Sequence, residues 1–190
     1  FKLLYDGRTF TSVASLGDAV KERTILINGV SKSYAMTGWR IGYAAAPAAI
    51  AKVMSNFLSH STGAPSTISQ WAAVEAYDGP QDTVESMRVV FEERRNYIVQ
   101  RMNEIPGVSC INPEGAFYVM MNLQELIGRK LYGETITDAD CFARLFLEHG
   151  QVCVVPGTSF DAPNYVRWSY ATGMDSIRKG LDRLEKFLKG

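Results

Sequence analysis

The sequence is short of nearly everything that would mark a metal centre, a disulfide scaffold or a membrane span. Only two of its 190 residues are histidine, His60 and His149, which makes a histidine-based metal centre improbable. Cysteine is sparse as well: Cys110, Cys141 and Cys153 are odd in number, widely spaced and without a C-x-x-C pair. That usage fits reduced thiols, as buried fillers in a cytoplasmic protein, better than a disulfide framework or a zinc site. Neither sign of charge is in excess, since 20 Lys+Arg balance 20 Asp+Glu. Without a basic field to gather phosphate backbones or anionic lipid, nucleic-acid and membrane-surface partners are disfavoured. The apolar runs are short and interrupted, so no transmembrane span is expected. The opening residues, Phe1-Lys2-Leu3-Leu4-Tyr5-Asp6-Gly7, lack the basic region, long apolar stretch and small-residue cleavage site of a secretion signal.

What is present is a hydrophobic content of 46%, enough for a real core. Thr24 to Asn28 reads as a buried strand and Arg40 to Ala45 as a second, with a polar loop between them. Ala48 to Leu58 reads as a helix with Ile50, Val53, Met54 and Phe57 on one side, and Ser66 to Tyr77 as an Ala-rich, buried helix. Asp78-Gly79-Pro80 is the clearest break. Beyond it, Val84, Met87, Phe91, Ile98, Met102 and Ile105 recur in steps of three and four, predicting a long amphipathic helix over 81–104. At 1.5 Å per residue such a helix is ~36 Å long, the length of a spine joining two domains. Strands follow at 108–111 and 116–123, then a polar loop over 124–134. Thr137 is expected to cap a helix that ends before Gly150. Strands at 152–155 and 165–171 and a helix from Met174 to Leu188 complete the chain. Residues 1–79, with two strands and two helices, are too little for a domain and read as the tail of a larger sheet domain. Residues 80–190 read as the spine helix and a small α+β domain, which makes the whole α/β.

The loop between the first two strands carries the chemistry. Lys32 is anchored there near Tyr34, Met36 and Trp39, and Arg40 stands eight residues later at the mouth of the second strand. Burial among such neighbours penalises a charged amine, and a neutral amine is the nucleophile that forms a Schiff base with an aldehyde. Arg40 offers a planar fork of donors suited to phosphate. Aldehyde and phosphate are opposite ends of pyridoxal 5'-phosphate, so the two groups could hold one cofactor molecule. From the residues alone, a loop lysine beside a structural arginine is the commoner reading.

The stretch Ser31-Lys32-Ser33-Tyr34-Ala35-Met36-Thr37-Gly38-Trp39-Arg40-Ile41-Gly42-Tyr43 resembles the signature of fold-type I aminotransferases, in the prokaryotic-type aspartate aminotransferase subgroup. The likeness extends to Glu114-Gly115-Ala116-Phe117-Tyr118, to Val155-Pro156-Gly157-Thr158-Ser159-Phe160 and to Tyr165-Val166-Arg167-Trp168-Ser169-Tyr170-Ala171-Thr172. It implies the C-terminal half of that fold: the end of the cofactor-binding large domain and the small C-terminal domain. It also implies that Lys32 forms the imine with pyridoxal phosphate and is the catalytic residue, and that Arg40 binds the phosphate. Arg167 would fork onto the substrate α-carboxylate; on a strand it shares a face with Ser169, opposite Val166, Trp168 and Tyr170. One position departs from the pattern. Many relatives carry a serine three residues before the lysine, where this chain has Gly29.

The activity so implied is transamination between an amino acid, aspartate first among them, and a 2-oxo acid such as 2-oxoglutarate, in a homodimer. Relatives are about twice as long, so the chain is expected to be part of a longer enzyme and inactive alone. Three other readings stay open at this level: an aminotransferase for aromatic or other amino acids, a C–S lyase on the same scaffold, and the effector-sensing domain of a transcription regulator.

Overall fold

Hydrophobic periodicity places most of the elements, and burial shows which of them find a core. The computed structural model describes residues 1–190, which form two compact units, Phe1–Met87 and Arg88–Gly190.

The first unit contains a short helix α1 (Asp18–Lys21), strands β1 (Leu26–Gly29) and β2 (Gly42–Ala45), and helices α2 (Ala48–Ser61) and α3 (Thr67–Asp78). The strands pair antiparallel, from Leu26 against Ala45 to Gly29 against Gly42. At the Gly29 end the backbones close in: a Cβ on Gly29 would lie 3.1 Å from the Ile41 carbonyl oxygen and 3.2 Å from the Gly42 Cα. The strands are not buried as expected. Ile25 and Ile27 are 47% and 79% exposed, because a two-stranded ribbon has no further strand or layer against those side chains. α3 corrects the expectation of a buried helix in the same way, with Ile68 and Trp71 at 73% and 70% exposure and only Ser69 buried. α2 does gather Ile50, Val53, Met54 and Phe57 on one side, yet it buries none of its residues.

Helix α4 (Asp82–Asn103) follows, close to the span its periodicity predicts, and runs across the boundary between the units. In the second unit come β3 (Ser109–Cys110), β4 (Tyr118–Asn122), β5 (Lys130–Leu131), β6 (Glu134–Thr135), α5 (Ala139–Gly150), β7 (Val155–Pro156), β8 (Tyr165–Ser169) and α6 (Met174–Lys189). The main sheet has the order β3-β4-β8-β7, every pairing antiparallel. Val119, Met121, Val166 and Trp168 of its central strands are buried, as are Phe142, Leu145 and Phe146 of α5 and Ile177, Leu181, Leu184 and Phe187 of α6. Phe146 meets Trp168 at 5.7 Å and Phe187 at 5.0 Å between ring centroids. Truncating such a ring costs about 3–5 kcal/mol. The fully buried Arg95 of α4 donates from Nη1 to the Pro113 carbonyl at 2.9 Å, tying the helix to the segment before β4.

Several local expectations shift. The segment expected to be a polar loop over 124–134 contains β5 and the start of β6, and it buries Leu126 and Leu131. Its turn uses Tyr132 and Gly133, both at positive φ, the backbone a tight hairpin requires. Asp138, not Thr137, caps α5: its carboxylate accepts from the Cys141 amide at 2.8 Å, while Thr137 donates to Asp138. Gly150 lies inside α5, where a Cβ would collide with the Phe146 ring, and Gln151 takes the left-handed cap at φ 54°. The cysteines are free but none is buried: Cys110 and Cys141 are half-buried and Cys153 is exposed. No helix is long and apolar enough to cross a membrane.

Candidate active site

The β1–β2 ribbon fixes both ends of the lysine loop, residues 30–41. Val30 is buried at its entry, and its carbonyl accepts from the Tyr34 amide at 3.1 Å, so the chain turns tightly around Lys32. Ala35 follows at φ 55°. A 3₁₀ turn over Thr37–Trp39 then delivers Arg40, also left-handed at φ 51° and ψ 48°. A non-glycine residue there costs roughly 1–2 kcal/mol, so the surrounding turn must hold it. Arg40 contributes to its own placement by donating from Nη1 to the Thr37 carbonyl at 3.1 Å.

Lys32 and Arg40 lie on the same loop of the first unit, and both side chains face solvent. Lys32 is not enclosed by Tyr34, Met36 and Trp39, as the sequence had suggested; Trp39 itself is 43% exposed. The enclosure fails because the packing of the first unit falls on Tyr34, against Tyr77 and Gln81, and leaves Lys32 uncovered. Lys32 engages no carboxylate or carbonyl oxygen.

Behind the loop is a group that sequence reading missed. The Tyr34 hydroxyl and the Lys2 Nζ both donate to the Gln81 Oε1, at 3.3 and 3.0 Å. The Gln81 Nε2 donates to the Ala76 and Gly79 carbonyls at 3.0 and 2.8 Å. Tyr34 also packs edge-on against Tyr77 at 5.1 Å, and Tyr43 does so at 5.6 Å. Burial, followed by the neighbouring Tyr43 hydroxyl, pushes the Tyr77 hydroxyl above the ordinary tyrosine range, and burial raises Tyr34 as well. One glutamine after a Gly-Pro break carries no sequence signal for this role.

Arg167 belongs to the second unit. On β8 it lies opposite Met120 of β4 and Val155 of β7, half-buried, with Val166 and Trp168 turned into the core as strand alternation requires. Its guanidinium carbon is 4.3 Å from the Tyr118 ring centroid and 4.5 Å from that of Phe160. No protein carboxylate or carbonyl takes its N–H groups.

Comparison with known proteins shows the family of the chain. The aminotransferase class I and II family profile matches residues 2–184. The chain belongs to that family. It is 46% identical over 188 residues to an aspartate aminotransferase of Bacillus subtilis (strain 168), covering 99% of this chain and 47% of that protein. Among solved structures, the aspartate aminotransferase from Rhizobium meliloti superposes with a TM-score of 0.95 at 40% identity, over 99% of this chain and 47% of that one. An aromatic aminotransferase from Pyrococcus horikoshii OT3 gives 0.89 at 37% identity, over 99% and 48%. This aminotransferase chain thus spans about half the length of the relatives it matches, and its two units have the fold of the corresponding part of those enzymes.

Proposed function

We propose that the protein carrying this chain is a pyridoxal-phosphate-dependent aminotransferase, with aspartate and 2-oxoglutarate as its substrate pair. The observation that carries this reading is the lysine loop: an unpaired amine and a guanidinium with most of its donors uncommitted, presented by one turn-locked segment. That donor set fits the cofactor, an amine for the aldehyde and a fork for the phosphate. The resemblance adds a homodimer and a cytoplasmic setting to the proposal.

When bound, the cofactor supplies an electrophilic carbon and an electron-withdrawing ring that lowers the cost of removing the substrate α-proton. Arg40 would hold the phosphate of the cofactor with the N–H groups that its bond to the Thr37 carbonyl leaves uncommitted. Lys32 would serve twice, as the amine that holds the cofactor and, when free, as the base that would hold the α-proton at Nζ. Arg167 donates to the α-carboxylate, and the orientation it imposes decides which bond at the α-carbon breaks.

The test uses the full-length protein loaded with pyridoxal phosphate. Borohydride reduction followed by peptide mapping should place the tag on Lys32, and Lys32→Ala should remove the tag and lower transamination by about 10²–10⁴-fold or more. A tag on another lysine would overturn the assignment. The Pyrococcus horikoshii relative favours a second reading, an aromatic donor. A panel of aspartate, tyrosine and phenylalanine with 2-oxoglutarate separates the two by their kcat/KM values.

A further inference from the structure

The surroundings of Arg167 go beyond its reading as a carboxylate ligand. An arginine on an open strand face ordinarily samples many rotamers, and fixing it for a ligand costs side-chain entropy. Here two aromatic rings from different elements meet the guanidinium, Tyr118 of β4 at 4.3 Å and Phe160 of the 157–160 turn at 4.5 Å. At these distances both rings pack against the guanidinium, while no protein acceptor takes its N–H groups, the part that forks onto a planar anion.

Both rings are themselves held. Tyr118 sits on the central strand, paired with Ser169, and its ring packs on Phe117 at 4.5 Å. Phe160 is held by the turn: the Ala162 amide donates to the Gly157 carbonyl at 2.9 Å, and the Tyr165 amide donates to the Ala162 carbonyl at 3.0 Å. Gly157 is buried where a Cβ would overlap the Ala162 carbonyl oxygen and lie 2.5 Å from that of Tyr165, so the turn closes directly onto the start of β8. Arg167 lies two residues into that strand. Phe160 keeps 46% of its surface exposed, more than core packing alone would leave on so firmly placed a ring.

We propose that Tyr118 and Phe160 are positioning residues for substrate binding, two rings that preorganise the Arg167 fork so that a planar carboxylate meets its N–H edge in one orientation. The proposal rests on the reading of Arg167 as the carboxylate-binding group. Each cation–π contact contributes ~0.5–2 kcal/mol, corresponding to about 2- to 30-fold in affinity.

The experiment compares Phe160→Leu, Tyr118→Leu, Tyr118→Phe, Arg167→Lys, Arg167→Met and the double variant Phe160→Leu/Arg167→Met in the full-length, cofactor-loaded protein. The readouts are calorimetric affinity for succinate, a dicarboxylate that cannot react, and the separate kcat and KM for the amino-acid donor. Arg167→Lys should weaken succinate binding about 10- to 100-fold, the loss expected for a charged fork. Phe160→Leu and Tyr118→Leu should each weaken it and raise KM about 2- to 30-fold with kcat little changed, since the lost contact is made alike before and during reaction. Tyr118→Phe keeps the ring and should match the parent. Phe160→Leu should add nothing in the Arg167→Met background, which leaves the ring no cation to hold. If Arg167→Lys weakens succinate while both leucine variants leave it unchanged, the rings are not positioning residues and the Arg167 reading stands. A further loss from Phe160→Leu in the Arg167→Met background would also overturn the proposal, because Phe160 would then act independently of the arginine. If Arg167→Lys has no effect, the carboxylate reading falls and the positioning role with it. Phe160 is half-exposed, so its leucine variant decides the question even if Tyr118→Leu does not fold.

Discussion

At the residue scale, Glu185 shows how a surface carboxylate joins two helices of the second unit. Its Oε2 accepts from Arg101 Nη2 of α4 at 2.5 Å, and its Oε1 from Lys189 at 2.9 Å. The Arg101 hydrogen bond first, then Lys189, holds the Glu185 carboxyl down at about 2. A depressed acid stabilises the fold only while ionised. The contribution is therefore fully present above the ordinary glutamate range near 4.5 and fades as pH falls from there toward 2. Glu185→Gln should flatten the acid limb of a stability-against-pH curve in that window, and added salt should do the same to the parent. Urea denaturation at several pH values checks it; parallel acid limbs for parent and variant would show that the pair does not act. The same scale separates what sequence could reveal from what it could not. Lys32, Arg40 and Arg167 stand out by residue type and motif, since the proposed chemistry calls for an amine and two forks. Their surroundings do not: the exposure of Lys32 depends on what packs over the loop, and the rings beside Arg167 come from residues 49 and 7 positions away along the chain.

At the element scale, legibility follows hydrophobic period. α4 and α6 were readable to within a residue or two because each turns one apolar stripe toward a core, Phe91, Ile98 and Met102 in one case and Ile177, Leu181 and Leu184 in the other. The β5–β6 hairpin was not readable, because each strand is only two residues long and the period of two has no room to repeat. The α5 cap was displaced by one residue because adjacent Thr137 and Asp138 both qualify and only the backbone decides which side chain reaches the Cys141 amide. Gln81 was invisible for another reason: its partners Lys2, Tyr34, Ala76 and Gly79 converge only through folding. Because it ties the lysine loop to the end of α3, Gln81→Leu should loosen residues 30–41. Tyr34→Phe should reproduce part of that effect, and the two losses should not add, since both remove the same hydrogen bond. Hydrogen exchange of loop amides reads this directly. An unchanged loop in Gln81→Leu would mean that the tyrosine ring contacts alone hold it.

At the scale of the whole molecule, the two units differ in how much of their apolar surface they bury. The second closes a core of fully buried rings and aliphatic side chains, Phe142, Phe146, Phe187, Leu181 and Leu184 among them. The first leaves Ile27, Val53, Phe57, Ile68 and Trp71 between 67% and 79% exposed, and of α1, α2 and α3 only α3 contributes a buried residue, Ser69. Helices of 14 and 12 residues are marginal in water without an apolar face to pack. In the 190-residue chain studied alone, amides of α2 and α3 should therefore exchange far faster than those of α5 and α6, by a factor that grows with the stability of the second unit. The lysine loop should share the low protection of the first unit, and pyridoxal phosphate should raise it little. With balanced charge and so much apolar surface, the chain should also self-associate most readily near its isoelectric point of about 6.9 and less so on either side. Hydrogen exchange followed by mass spectrometry, at a concentration where light scattering shows a monomer, makes the comparison. Equal protection across residues 48–78 and 139–189 would show that the first unit holds its helices without the additional packing that its exposed side chains call for.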